Sequence, residues 1–194
     1  MRVLKKILNV NWNKKVGFIC IIILIIFTNR LIHAESMNIN SASTYINNDI
    51  FYLNSSSEFY LSKEAYKALQ QGISFEIHTD FQLLLKRKWF WNKIIFEKKI
   101  IHKLEHKPLT ENFLITNMNT GIVNYYKNID SAINAISKVS KMRLFKQSKL
   151  QKNTNYLARI RLHLDIDSLP SPLRPRAYFS SDWNISSQWY KWEI

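Results

Sequence analysis

The chain has 194 residues, with 28 Lys and Arg against 14 Asp and Glu, a formal charge of +14 and a 46% hydrophobic share. A single cysteine excludes a disulfide framework and a cysteine-ligated metal, and three glycines exclude Gly-rich phosphate loops. The positive balance favours an anionic partner, although six of the 28 basic residues fall in the first 34, where there is no acid.

Arg2, Lys5, Lys6, Lys14 and Lys15 precede VGFICIIILIIF at 16–27, a run with no polar side chain, and Ala34 follows at a cleavage point. This is the layout of a secretory signal. The run is shorter than the roughly 20 apolar residues that span a bilayer. The looser stretch to Ile32 contains Thr28, Asn29 and Arg30. Two outcomes stay open: cleavage after Ala34, or retention as a signal anchor. Both leave the basic end inside and residues 35–194 outside. The expected location is therefore the periplasm, free or anchored to the inner membrane. The expected organisation is a signal peptide or signal anchor at 1–34 and one exported β-rich domain at 35–194. Cys20 lies inside the apolar run, so cleavage removes the only thiol.

Residues 35–48 read as a polar lead into a first strand at IFYL, 50–53, with NSSS as its turn. LSKEAYKALQQG then predicts a helix: Ser62 is the N-cap, Glu64 sits in the first turn, Ala65, Ala68 and Leu69 share a face, and Gly72 supplies a left-handed end. After Gly72 the period switches to two. Ile73, Phe75 and Ile77 point inward and Ser74, Glu76 and His78 outward, in a strand reaching Leu85. Residues 94–105 predict a long strand with Ile94, Phe96, Ile100 and Leu104 on one side, ended by Pro108. ENFLITN and IVNYY form a hairpin around Met118–Gly121. Asp130 caps a second helix with Ile133, Ile136 and Val139 as its stripe, closing near Leu144. YLARIRLHLDI is a strand with Tyr156, Ala158, Ile160, Leu162 and Leu164 inward and Arg159, Arg161, His163 and Asp165 outward. SLPSPLRPR, with three prolines, reads as an extended connector. A strand pair or terminal strand closes the chain. Short turns between strands predict antiparallel pairing. The fold class is mainly β with two helices (α+β), an antiparallel two-sheet sandwich.

Two groups of residues carry candidate chemistry. Lys86, Arg87, Lys88, Trp89, Trp91 and Lys93, with Phe90 and Asn92 among them, interleave cations and aromatics. In the cytoplasm this composition suits nucleic acid. Export turns the expectation to lipid headgroups and envelope polymers, because Trp with Lys suits a membrane interface. Trp89 and Trp91 also alternate, which suits a core face. His163, Asp165 and Asp167 fall on one strand face and form a candidate acid–base or metal cluster, against which stands their spacing of about 7 Å per two residues. His102 and His106 have helical metal-pair spacing, but on a strand they stand about 13 Å apart.

YLSKEAYKALQQGISFEIH, KRKWFW, HKLEHKPLTENFLI and YLARIRLHLDIDSLPSPLRPRAYFSSDWNISSQWYKW, in this order, resemble an exported proteobacterial family, domain of unknown function 4390. The resemblance spans nearly all of residues 45–192. It implies a Gram-negative source, a signal peptide, a single domain and encoding near a two-component sensor kinase. It supplies no catalytic residue. The matched Gly72, Trp89, Trp91, Pro170, Pro172, Trp183 and Trp189 are of structural type.

The expectation is a non-enzymatic exported envelope domain that binds a protein partner or an envelope component close to the membrane. It needs no cofactor and binds no nucleic acid. Two alternatives stand beside it: a hydrolase or metal-dependent enzyme using His163, Asp165 and Asp167, and a membrane-tethered structural domain.

Overall fold

The structure is a computed structural model that describes residues 37–152 and 154–194. The apolar run at 16–27 and the cleavage point at Ala34 lie outside the described residues. Among the described residues two antiparallel sheets form. The first has the order β1–β2–β7, from β1 (Met37–Asn47), β2 (Ile50–Phe59) and β7 (Lys138–Lys146). The second has the order β6–β5–β4–β3–β8–β9. Its strands are β3 (Phe75–Leu85), β4 (Lys93–Lys107), β5 (Asn112–Asn117), β6 (Val123–Tyr126), β8 (Tyr156–Leu164) and β9 (Tyr190–Glu193). Both sheets turn alternate residues inward. Phe51, Leu53, Phe59, Leu144 and Phe145 of the first join Ile77, Phe81, Leu83, Leu104, Ile160 and Leu162 of the second in one buried core. No helix of the described residues is long and apolar enough to cross a membrane.

Helix α1 (Lys63–Gln70) forms as its sequence dictates. Ser62 Oγ accepts the Ala65 N–H at 3.0 Å, and Ala65, Ala68 and Leu69 are buried. Gly72 adopts φ +87°, and Gly72 and Ile73 donate back to the carbonyls of Leu69 and Ala68. These two bonds satisfy carbonyls that a helix end leaves open, and the left-handed residue between them favours glycine.

Several expected elements differ. The polar lead at 35–48 is β1 itself, and NSSS lies within β2 rather than in a turn. The hairpin turns instead at Asn48 and Asp49, with φ of +47° and +60°. The β1–β2 pairing supplies a strand that its polar composition hides. Asn128, not Asp130, caps α2 (Ile129–Ser137), accepting the Ser131 N–H at 2.8 Å. That helix ends at Ser137, and Val139 to Leu144 belong to β7, because β2 recruits them by pairing. Ile94 is 43% exposed, where a register shift between Leu83 and Leu84 turns it from the core. The proline-rich connector holds a 3-10 turn at Ile166–Ser168 and a short helix α3 (Arg174–Phe179). Pro175 stands in the first helical turn, where a missing N–H costs nothing. The chain ends in β9 alone, extended along the edge of β8 by the 185–187 segment.

Candidate functional site

Pairing of β3 with β4 stops at Leu85 and Lys93. The residues between them lie beyond the paired ends of both strands. Trp89, Phe90 and Trp91 are therefore 89%, 75% and 93% exposed. This overturns the core-face expectation for the two tryptophans, since alternation only buries a side chain where a sheet continues to face it. The Arg87 N–H donates to Asn92 Oδ1 at 3.4 Å, bracing the loop across its base. Lys86 is tied down by its N–H to the Asn155 carbonyl and by its ammonium to the Glu193 carboxylate, whose pKa is lowered by that bond. Among the described residues no carboxylate pairs with Arg87, Lys88 or Lys93.

The same end of the sandwich holds an open cleft of about 830 Å³. Ile46, Ile50, Phe51, Leu150 and Ile194 give it an apolar lining, and Lys146 and Lys152 line it as well. Tyr156 joins cleft to loop: it lines the cleft and pairs in register with Leu85. Met37, by contrast, pairs with Phe59 at the far end of β1.

The second candidate region is the outer face of β3 and β8. Register places Gln82 beside Arg159, Asp80 beside Arg161 and His78 beside His163. The guanidinium of Arg159 donates twice to Gln82 Oε1, at 2.9 and 2.6 Å. Arg161 donates to Asp80 Oδ2 at 3.0 Å, and Lys99 Nζ lies 3.8 Å from Asp80 Oδ1. Trp189 lies against both arginines, its ring centroid 4.2 Å from the Arg159 guanidinium carbon and 4.7 Å from that of Arg161. Such contacts stabilise by about 0.5–1 kcal/mol each when exposed.

The expected His163, Asp165 and Asp167 cluster does not assemble. His163 Nδ1 faces Asp80 Oδ2 at 3.5 Å. Burial pushes its pKa down to about 4, only partly opposed by the Asp80 charge. Asp165 Oδ2 instead lies 3.8 Å from His78 Nε2. Asp167 has left the strand for the 3-10 turn, and Tyr178 Oη donates to it. What comes together is Glu76, His78 and Asp165, with one donor atom from each within 4.8 Å of the others. Alternation along β3 puts His78 on the outward face, yet it is 6% exposed. The two-residue spacing of Glu76 and His78 was visible, but the β3–β8 register that brings Asp165 to them was not.

His102 and His106 lie on strand β4, as expected. His106 packs on Phe113 with ring centroids 4.8 Å apart, and His102 approaches Asn117, so they form no metal pair.

No curated protein and no solved structure matches the chain. One family model does, over residues 34–193. That match covers most of the chain, and the chain belongs to the family described as domain of unknown function, DUF4390.

Proposed function

We propose that this is a non-enzymatic, exported binding domain that docks on an anionic lipid surface of the cell envelope through its 86–93 loop. The observation that carries the reading is the uninterrupted Trp89–Phe90–Trp91 exposure beside Arg87, Lys88 and Lys93, which pair with no carboxylate among the described residues. Three neighbouring aromatics in water are costly for a domain with nothing to place against them. Burying half of a ring of about 200 Å² gains roughly 2.5 kcal/mol. Each cation near an anionic surface adds about 1 kcal/mol. Three aromatics with Arg87, Lys88 and Lys93 can therefore reach micromolar affinity, about 8 kcal/mol, after the losses of association. At the neighbouring cleft, Lys146 and Lys152 outnumber the one acid of its lining, Asp49.

The chain enters β1 at the end of the sandwich opposite the loop. Eleven residues of strand span about 36 Å. Docking through the loop would leave Met37 away from the lipid surface, and a domain docked in this way can inform a membrane sensor of the state of the envelope.

Co-sedimentation with vesicles tests the reading. The purified protein pellets with vesicles containing about one third phosphatidylglycerol and stays in solution with pure phosphatidylcholine. A variant with Arg87, Lys88 and Lys93 changed to Glu stays in solution with both. Equal sedimentation of variant and wild type, or none by either, would overturn it. Capture of a protein by the loop in the absence of lipid would move the reading to a protein partner.

A further inference from the structure

Two carboxylates converge on one buried imidazole at the end of the β3–β8 face. His78 Nε2 lies 3.1 Å from Glu76 Oε2 and 3.8 Å from Asp165 Oδ2. The arrangement is held by backbone: Glu76 and His78 share one face of β3, and the Asp165 N–H donates to the Glu76 carbonyl at 2.8 Å. Ser168 Oγ accepts the Glu76 N–H at 3.3 Å and donates to the Asp165 carbonyl at 2.7 Å, closing the turn behind the cluster. Among the described residues, His78 is the only basic group within salt-bridge distance of either carboxylate. Asp80, two residues further along the same face, is met by both Lys99 and Arg161. Among the described residues, no Lys or Arg comes within salt-bridge distance of Glu76 or Asp165, so the two carboxylates face the His78 ring alone.

We propose that Glu76, His78 and Asp165 form a binding site for a divalent first-row transition ion, with Zn²⁺ as the fitting probe. In a tetrahedral site with bonds of about 2.0 Å, neighbouring donor atoms stand about 3.3 Å apart. The 3.1 and 3.8 Å separations fall on either side of that value. One nitrogen with two carboxylate oxygens suits Zn²⁺ or Mn²⁺, whereas Ca²⁺ takes six to eight oxygens. Metal on Nε2 places the imidazole proton on Nδ1. The carboxylates are 30% and 27% exposed, so the ion has a path from solvent and a coordination position open toward it. Three protein ligands with an open position resemble an exchangeable site more than a closed structural one. This inference does not depend on lipid docking by the loop, which lies at the other end of β3.

Titration calorimetry of the chelator-treated full chain with ZnCl₂ decides it. The expected result is one Zn²⁺ per chain with a dissociation constant on the order of 10 μM. Glu76→Gln and Asp165→Asn, each checked for an unchanged circular dichroism spectrum, weaken binding about tenfold or more, and His102→Gln leaves it unchanged. If Asp165→Asn does not fold, Glu76→Gln alone carries the comparison. No binding at 100 μM Zn²⁺, or wild-type affinity in the Glu76→Gln variant, would overturn the site. Zn²⁺ binding lost in His102→Gln but kept in Glu76→Gln would overturn it as well, by placing the ion elsewhere.

Discussion

The 86–93 loop and the outer face of β3 and β8 carry the same kinds of residue, arginine, lysine and tryptophan, yet in opposite conditions. On the sheet face, Asp80 meets Arg161 and Lys99, Arg159 meets Gln82, and Trp189 lies over both guanidiniums. In the loop, Arg87 and Lys88 meet no carboxylate among the described residues, and Trp89 and Trp91 are exposed. Composition does not separate these regions; compensation does. A cation or aromatic already satisfied within the fold serves stability, whereas an unsatisfied one is available to a partner. The Glu76–His78–Asp165 cluster belongs by position to the sheet face and by compensation to the second class.

The largest expected effect lies in the loop. Trp89→Ala with Trp91→Ala should lower affinity for anionic vesicles at least a hundredfold, about 3 kcal/mol. Unfolding stability should stay within about 0.5 kcal/mol of wild type by urea titration, as for other exposed sites. The sheet face should respond in reverse. Asp80→Ala leaves Arg161 and Lys99 without their anion. Removing one partner of a buried pair costs about 3–5 kcal/mol, reduced here toward about 2 because Arg161 and Lys99 are 35% and 51% exposed. Vesicle binding should be unchanged, and a loss of both properties would dissolve the contrast. Trp189→Ala should cost about 1 kcal/mol of stability and nothing in docking.

The smallest effect sharpens the comparison with a residue that belongs to neither region. Burial lowers the pKa of His102. The folded protein therefore takes up this proton at a lower pH than the unfolded chain does. The contribution of His102 is complete above about pH 6.5 and is lost as pH falls below it. Thermal unfolding between pH 7 and pH 5 should show a shallower decline for His102→Asn than for wild type.

Local patterns made much of this fold legible. Helix α1 carries its own cap, stripe and terminal glycine within eleven residues. β8 alternates so strictly that Tyr156, Ala158, Ile160, Leu162 and Leu164 all reach the core. What stayed hidden depends on pairing between distant segments. β1 is polar because it edges a sheet, and only its partner β2 makes it a strand. β7 resembles the tail of a helix until β2 claims it. The candidate sites followed the same division. The loop was visible as composition, but its exposure depended on where the β3–β4 ladder stops. Asp165 was visible as a residue, but its true neighbours, Glu76 and His78, come from a strand some ninety positions earlier. Spacing alone groups His163 and Asp167 with it, but they meet Asp80 and Tyr178 instead.

Quenching of tryptophan fluorescence by vesicles of brominated anionic lipid tests the central claim most directly. Trp12 falls in the N-terminal segment and is replaced by Phe in both proteins. Trp183 is buried, and Trp189 and Trp192 are partly covered, so loop insertion brings mainly Trp89 and Trp91 to the bromine atoms. The account predicts strong quenching of the protein with its loop intact and little in the Trp89→Ala, Trp91→Ala variant. Equal quenching of the two proteins, or none in the first, would contradict it.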